Sequence, residues 1–131
     1  MADESLHVEL VTADRVVWSG EATMLIARTV EGDLGVLPNH APVLSLMVDG
    51  IVEVETKKDE TWVAAVEAGF LSIADNRVSI LSEDAQMSHE IDLEQAKREL
   101  EEAQEHGSPN FSAERSLRMA RARIRAVERA S

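Results

Sequence analysis

The spacing of apolar residues changes near residue 90, and this change constrains the fold more than any other feature of the chain. Before it, apolar and polar residues alternate in short runs, as at Leu6, Val8 and Leu10. A period of two predicts strands with one buried face. Turn signals separate about ten such runs, which is typical of a sandwich or barrel. Residues 1–88 are therefore predicted to form an antiparallel β-sandwich of about ten short strands.

Three short polar segments are predicted to be tight turns. Asp49-Gly50 stands between the apolar runs 43–48 and 51–56, and Asp-Gly is a strong hairpin signal because both residues tolerate positive φ. The charged segment 57–60 and the segment 75–77 also lie between apolar runs. Each of the three is predicted to join two neighbouring antiparallel strands.

The segment Gly32-Asp33-Leu34-Gly35-Val36-Leu37-Pro38-Asn39-His40-Ala41-Pro42 contains two glycines and two prolines. Glycine permits positive φ, whereas proline fixes φ and lacks a backbone donor. The segment is predicted to be a shaped loop, and neither a regular helix nor a central strand. Within it, His40 has two interpretations: a ring that holds the loop by a hydrogen bond, or a contact side chain on a presented loop.

After residue 90 the apolar spacing becomes helical. Asp92 is a natural N-cap with Gln95 three residues later, and Gly107 with Pro109 is a stop signal. Ser112 is the predicted N-cap of a second helix. Two matching apolar seams, each spaced i, i+3, i+7, i+10, consist of Leu93, Ala96, Leu100, Ala103 and of Leu117, Ala120, Ile124, Val127. Residues 89–131 are thus predicted to form an antiparallel two-helix hairpin, marginally stable unless it docks on the sandwich or a partner.

Charge is distributed unevenly along the chain. Residues 1–90 contain 5 Lys/Arg and 17 Asp/Glu, whereas residues 91–131 contain 8 of each. The acidic first part argues against nucleic-acid binding. The second helix contains a run of arginines with two interpretations: a solvated face paired with the acidic first helix, or a cationic rod that binds an acidic surface elsewhere. These arginines are Arg115, Arg118, Arg121, Arg123, Arg125 and Arg129.

The sequence contains no signature of catalysis or metal binding. Cysteine is absent, the four histidines are scattered, and neither a phosphate-binding loop nor a Gly-x-Ser-x-Gly elbow occurs. We therefore predict no catalytic residue, no metal site and no cofactor. The acidic N-terminus does not resemble a secretory signal, and no apolar run is long enough to span a membrane. The chain is predicted not to insert into a membrane directly.

The segment from Gly32 to Leu44 closely resembles the signature loop of the epsilon subunits of F-type ATP synthases. Val17-Trp18-Ser19-Gly20-Glu21-Ala22, Gly69-Phe70-Leu71 and the two-part layout also resemble that family. The resemblance implies a non-catalytic subunit of the central stalk, bound to the gamma subunit and the c-subunit ring. It also implies a position on the cytoplasmic face of a bacterial cell membrane and a monomer in isolation.

The resemblance further implies roles for single residues. The loop contacts to the c-ring and gamma would come from Asp33, Val36, Asn39 and His40. In the family the hairpin opens and restrains ATP hydrolysis by a transient contact with the alpha and beta subunits of the catalytic head. Here that inhibitory contact would come from Arg115, Arg118, Arg121, Arg123 and Arg125.

Some family members also bind ATP as a regulatory ligand on the folded hairpin. The matching positions here are Ile91, Asp92, Ala96 and Arg123, but Gln95 stands where the motif has an arginine. The loss of that cation removes a phosphate contact or a packing contact. The alternative hypothesis is an unrelated β-sandwich that acts as a binding or scaffold module, with the helices as a dimerisation hairpin. A small hydrolase is a third hypothesis, although no nucleophile–base pair supports it.

Overall fold

A computed structural model describes residues 4–105 and 111–130, apart from the side chains of residues 111–113. It contains a β-sandwich followed by two α-helices, so the predicted fold class is confirmed. The strands are β1 Leu6–Val11, β2 Val16–Ala22, β3 Met24–Thr29, β4 Gly32–Val36, β5 Val43–Met47, β6 Gly50–Glu55, β7 Thr61–Val66, β8 Gly69–Ala74, β9 Arg77–Ser82 and β10 Ala85–Met87. A 3₁₀ turn over Ser88–Glu90 leads to α1 (Leu93–Glu105) and α2 (Phe111–Ala130).

The strands form one continuous sheet that folds over on itself. Its order is β10-β7-β6-β3-β5-β8-β9-β1-β2, and β4 pairs with β3 beside this path. The β1–β9 pair is parallel, and the other pairs are antiparallel. The β3–β5 link is narrow, with one register pair, Thr29 and Met47. The sheet bends at this link, which separates the two layers of the sandwich.

Branched aliphatic side chains from both layers meet in a single core. The alternation predicted for β1 is confirmed, because Leu6, Val8 and Leu10 are buried while the residues between them are not. Ten of the eleven largest fully buried side chains, Leu25 and Leu71 among them, lie in this main core. Burial of each such side chain is worth about 1.5–3 kcal/mol, so this core is the main source of the stability of the sandwich.

Strand β7 is buried on both faces, unlike the alternating strands around it. Ala64 and Val66 point into the main core, whereas Val63 and Ala65 lie in a second cluster with Ala122 and Ala126 of α2. The second helix therefore docks on the outer face of the sheet. The hairpin was predicted to be marginally stable unless it docks on the sandwich or on a partner, and in this structure it docks on the sandwich.

Asp49-Gly50 does not form the predicted hairpin. Strand β5 pairs with β3 and β8, while β6 pairs with β3 and β7, so the two strands that flank Asp49-Gly50 do not pair with each other. The chain instead crosses from one layer to the other at this point. Asp49 accepts a 2.8 Å hydrogen bond from the backbone N–H of Ala68, which shapes the crossing.

The other two predicted turns are confirmed as hairpin connections. The segment 57–60 joins β6 to β7, and Asp59 has a φ of 58°. The segment 75–77 joins β8 to β9, with Asp75 and Asn76 at φ values of 51° and 61°. Positive φ at two successive residues matches the twist of the flanking strands, which explains the tight turn.

The first half of the predicted shaped loop is a strand. Residues 32–36 form β4, an edge strand that pairs only with β3 in the part of the chain that the structure describes. Gly32, at φ 116°, provides the turn into it. Glycine at an edge does not prevent pairing, because the partner strand supplies the hydrogen bonds that fix the backbone. The loop proper spans residues 37–42.

At the beginning of α1 the predicted N-cap is confirmed, whereas Gln95 does not complete the predicted capping box. The backbone N–H of Gln95 donates to Asp92 Oδ1 at 3.1 Å, so Asp92 is the N-cap, while the Gln95 side chain donates to Glu99 at 3.1 Å. Helix α2 begins at Phe111, which puts Ser112 inside the first turn rather than at the predicted N-cap position. The predicted stop at Gly107 and Pro109 lies outside the described residues. Neither described helix is long and apolar enough to cross a membrane.

Candidate interaction surfaces

The loop over residues 37–42 is held to the neighbouring β8–β9 turn by asparagine side chains. Asn39 has a φ of 70°, a left-handed conformation that asparagine tolerates. Its backbone N–H donates to Asn76 Oδ1 at 2.5 Å, and Asn76 Nδ2 donates to Asn39 Oδ1 at 3.3 Å. Asn39 Nδ2 also donates to the carboxylate of Glu4. These contacts fix the loop relative to the sandwich.

Sequence reasoning missed Asn76 and Glu4 as supports of this loop. The Asn76 carbonyl accepts a 2.8 Å hydrogen bond from His7 N–H, so one residue ties the loop, the β8–β9 turn and β1 together. The available signal was the polar pair Asp75-Asn76 in a turn, but nothing local indicates which loop such a turn will meet.

The ring of His40 forms a hydrogen bond within the loop. Its Nδ1 lies 2.7 Å from the carbonyl oxygen of Ala41, and a carbonyl only accepts, so Nδ1 carries the proton. The backbone N–H of His40 donates to Leu37 at 3.2 Å, which closes a turn. This geometry favours the interpretation in which His40 shapes the loop, with Nε2 as the remaining polar atom.

The four residues predicted for this contact surface occupy different environments. Asp33 and Asn39 are exposed, His40 is half-buried, and Val36 is fully buried in the main core. In this conformation Val36 cannot touch a partner, and its burial anchors the end of β4. Leu37 next to it is 58% exposed and is the apolar side chain that the loop presents.

A second surface consists of Leu44, Leu46, Phe70 and Leu81, here called the apolar strip. Register places Leu46 opposite Phe70 and Phe70 opposite Leu81, so the strip crosses β5, β8 and β9 on one face. Leu44 is 74% exposed and the other three are at least 50% exposed. Adjacent exposed large apolar residues mark an interaction surface. The sequence signal that could have predicted the apolar strip was a set of strands with apolar residues on both faces.

The arginines of α2 form a third surface, directed mainly at the sandwich. Arg118 pairs with Asp49 at 2.7 Å and Arg129 with Glu53 at 2.6 Å. Arg115 pairs with Glu67. The hydrogen bond to Glu67 raises the pKa of Arg115, and the hydrogen bond to Glu53 raises the pKa of Arg129. These guanidinium groups are charged and form ion pairs with acidic side chains of the first 90 residues.

The interpretation in which the arginine run pairs with α1 is therefore wrong for Arg115, Arg118 and Arg129. The notion of a face paired with α1 holds for Arg123, which donates to Glu99 at 3.2 Å, but Arg123 also pairs with Asp84 at 3.1 Å. The strand layers of the sandwich supply most of the acidic partners. Arg121 and Arg125 are exposed.

The four residues predicted for an ATP site meet at a groove of about 390 Å³ between the sandwich and α1. Ile91, Asp92, Ala96 and Arg123 all line it, and Gln95 lines it too. Its charged lining is mostly acidic. The acids are Asp14, Asp84, Glu90, Asp92 and Glu99, and the bases are Arg15 and Arg123.

Both arginines of this groove are engaged by acids. Arg15 donates from its two terminal nitrogens to the two carboxylate oxygens of Glu90, each at 3.0 Å. This contact lowers the pKa of Glu90 and raises the pKa of Arg15. Arg123 is held by Asp84 and Glu99. A polyphosphate would have to displace these carboxylates, so the groove as built disfavours ATP.

Titratable clusters give no further site. Among the described residues, no group of three or more His, Asp or Glu side chains has the arrangement of a metal centre.

Comparison with known proteins identifies relatives of the whole chain. Residues 5–88 match the family described as ATP synthase, Delta/Epsilon chain, beta-sandwich domain. The chain is 52% identical over 122 residues to the ATP synthase epsilon chain of Streptomyces avermitilis, covering 93% of this chain and 94% of the relative. It is 44% identical over 126 residues to the ATP synthase epsilon chain of Rhodococcus jostii, covering 95% and 98%.

The fold also resembles a solved structure. A chain of the Euglena gracilis mitochondrial ATP synthase, from a cryo-EM structure of OSCP, F1 and the c-ring in rotational state 1, superposes with a TM-score of 0.77. The two sequences are 26% identical, and the match covers 97% of this chain and 81% of that chain. The likeness extends through the sandwich and both helices.

Proposed function

Because this chain belongs to the ATP synthase epsilon chains, we propose that it is a non-catalytic subunit of the central stalk that turns with the rotor. It would couple rotation of the c-ring to ATP synthesis in the catalytic head of a proton-translocating enzyme. The complex is membrane-associated, and we place this subunit on the cytoplasmic face of a bacterial cell membrane. Family membership removes the alternative of an unrelated scaffold module.

The observation that carries this proposal is the apolar strip. Four large apolar side chains on three adjacent strands would cost free energy in water, whereas a protein partner would bury them. We assign the gamma subunit to this surface, since a rotor subunit needs a firm contact with the shaft. Residues 1–88 would bind gamma and the c-ring, and residues 89–131 would be regulatory.

The loop over residues 37–42 and the adjoining edge strand β4 would face the c-ring. Asp33 and Asn39 are exposed there, and the Asn39–Asn76 hydrogen bonds hold the loop in one shape. A rigid loop loses little conformational entropy on binding. Contacts of this kind need neither insertion into the membrane nor binding to nucleic acid.

The second helix would restrain ATP hydrolysis when it leaves the sandwich. Its arginines, Arg115, Arg118, Arg121, Arg123 and Arg125, would then pair transiently with an acidic surface of the alpha and beta subunits. Arginine suits this role because its planar guanidinium group pairs with carboxylates through two hydrogen bonds. We infer no ATP cofactor for this step, because carboxylates already engage the arginines of the groove.

The test is binding to purified gamma and to a catalytic head that lacks its own epsilon subunit. The double variant Leu46→Ser/Phe70→Ser should weaken gamma binding by at least about tenfold, as expected for central apolar contacts. Val16→Ser removes an apolar side chain that is 58% exposed outside the strip, and it should bind like the wild type. Equal binding by all three proteins would overturn the assignment. A monomer by sedimentation would agree with burial of the strip only in the complex.

A further inference from the structure

Gly35 lies within β4, at a position where the fold itself does not require a glycine. Among the described glycines only Gly32 has a positive φ, so Gly35 has the extended backbone of an ordinary strand residue. A Cβ built on Gly35 would meet no heavy atom within 4 Å, whereas a Cβ on Gly69 would collide with the carbonyl oxygen of Leu81. Glycine in a strand is less stable than alanine, because it loses more conformational freedom on folding. The absence of a side chain at Gly35 therefore calls for an explanation outside the chain.

Strand β4 is anchored on its inner side and open on its outer side. Leu34 packs against the main core, and Val36 is fully buried in it. Because successive residues of a strand point to opposite faces, Asp33 and Gly35 point outward, and both are exposed. Among the described residues β4 pairs only with β3. The main chain of β4 is thus held firmly in the sandwich and is accessible at Gly35.

The docked helix α2 leaves this part of the sheet uncovered. One outward row across β7, β6, β3 and β4 consists of Val63, Glu53, Ile26 and Gly35. Helix α2 packs on Val63 at one end of the row, and its Arg129 pairs with Glu53. At the other end Ile26 is half-buried and Gly35 is exposed. A partner can therefore reach Gly35 while α2 stays in place.

The outer side of β4 has a gap between two exposed side chains. Asp33 lies two residues before Gly35, and Leu37, which is 58% exposed, lies two residues after it. An α-helix with its side chains is about 10–12 Å wide, so it would rest on Asp33 and Leu37 without reaching Gly35. An extended segment is thinner and can bring its backbone against Gly35, because no Cβ stands between the two main chains. The gap therefore suits an extended segment of a partner.

We infer that Gly35 is a specificity-determining residue of the contact with the c-ring. A polar, extended loop of the ring would lie across β4 with its main chain against Gly35. The occupant follows from continuity, because Gly35 adjoins the loop over residues 37–42, which hydrogen bonds between Asn39 and Asn76 hold in place. The inference rests on the proposed function, which assigns this loop to the ring. The apolar strip assigned to gamma lies on β5, β8 and β9, in the other layer of the sandwich.

Folding and binding should respond in opposite directions to a side chain at position 35. Gly35→Ala should raise the urea midpoint of the free chain, because alanine restricts the unfolded chain and its Cβ meets open space. Gly35→Ala should also weaken ring binding slightly, and Gly35→Leu should weaken it about tenfold, since the larger side chain keeps the two main chains apart. A merely structural glycine would lose stability and binding together. Gly32→Ala should show that pattern, because a φ of 116° strains a residue with a side chain.

The experiment uses the complex of this chain with gamma and measures its affinity for a purified, immobilised c-ring in detergent. Each variant is first titrated with gamma, and we expect Gly35→Ala and Gly35→Leu to bind gamma as the wild type does. Thr61→Leu is the control, because it adds an exposed leucine to the same layer on β7, three strands away from β4. We expect the Thr61→Leu complex to bind the ring like the wild type.

Three results would overturn the inference alone. Wild-type ring affinity for Gly35→Leu would remove Gly35 from the contact. Weaker gamma binding by Gly35→Leu would assign this surface to gamma. A lower urea midpoint for Gly35→Ala than for the wild type would mean that Gly35 serves the fold. If the wild-type complex itself does not bind the ring, the proposed c-ring contact fails, and the inference fails with it.

Discussion

The main core and the α2 interface differ in how they hold their parts together. The main core contains ten of the eleven large side chains that are essentially fully buried, whereas the interface with α2 contains the eleventh, Val63, together with alanines and arginine–carboxylate pairs. Aliphatic burial is independent of pH and is not screened by salt, while ion pairs respond to both. The difference indicates a sandwich held by aliphatic burial and a docked helix whose attachment is more sensitive to pH and salt.

The strongest way to break this comparison is to damage the core. Leu71→Ala should lower the free energy of unfolding by about 2–5 kcal/mol, because it leaves a cavity at a fully buried position. Leu44→Ala removes the same atoms from a position that is 74% exposed, and urea unfolding should detect little change. Equal losses for the two variants would contradict the assigned core.

Overpacking of the α2 interface should affect docking and spare the sandwich. Ala126 is fully buried against β7, so Ala126→Leu should weaken docking by about 1–3 kcal/mol. Ala130→Leu places the same side chain at an exposed position on the same helix. Distances between spin labels at Ser79→Cys on β9 and Ser116→Cys on α2, both exposed positions, should show undocking for Ala126→Leu alone. Global unfolding by Ala126→Leu would mean that the helix is part of the core rather than a separable element.

A cation at position 95 should allow ATP to bind in the groove beside α1, and bound ATP should strengthen the contact of the helices with the sandwich. Gln95 lines the groove beside Asp92 and Arg123, so Gln95→Arg adds a cation there, and its guanidinium group has more donors than the single hydrogen bond that Gln95 gives to Glu99. We expect ATP affinity to rise about tenfold, which corresponds to one charge-assisted hydrogen bond. Glu94→Gln makes the same change in net charge outside the groove lining. Titration calorimetry that finds no gain for Gln95→Arg would exclude this groove as a nucleotide site.

Acid should release the 3₁₀ turn before it unfolds the core. The contact with Arg15 lowers the pKa of Glu90 below its ordinary value of 4.5, so its stabilisation is complete above that value and is lost as the pH falls through the lowered pKa. His89 belongs to this turn, and its ring lies 5.9 Å from the ring of Trp62 on β7. Trp62 fluorescence therefore reports the release of the turn. In Arg15→Gln the transition should move to higher pH. Coincident curves would mean that Arg15 does not hold the turn.

Local signals in the sequence predicted the elements but not their long-range pairing. Period-two spacing located the strands, the predicted tight turn at Asp75-Asn76 is present with positive φ values, and Asp92 caps α1. Asp49-Gly50 carried an equally strong local signal, yet its flanking strands pair elsewhere. Strand partners are chosen by burial across the whole sheet, and a dipeptide contains no information about that choice.

The candidate sites were predicted unevenly for a related reason. The positions proposed for ATP come together at one groove, because Ile91, Asp92 and Ala96 follow one another at the start of α1 and the docking of α2 brings Arg123 beside them. The acidic partners of α2 were misassigned, since α1 and the first 90 residues both offer carboxylates and charge alone does not distinguish them. The apolar strip was missed because the sequence does not show whether another element covers the face of the sheet on which Phe70 lies. In the structure Phe70 is exposed.

Hydrogen exchange of the full chain at low and high salt tests the contrast between core and helix most directly. Amides of β1, β8 and β9 should exchange at the global unfolding rate in both conditions, because aliphatic burial holds them. Amides of α2 should exchange faster than these strands, and faster again at high salt, since screening weakens their ion pairs. If the amides of α2 were protected as strongly as those of β8, and if salt did not change that protection, the claim that ion pairs hold α2 on the sandwich would be contradicted.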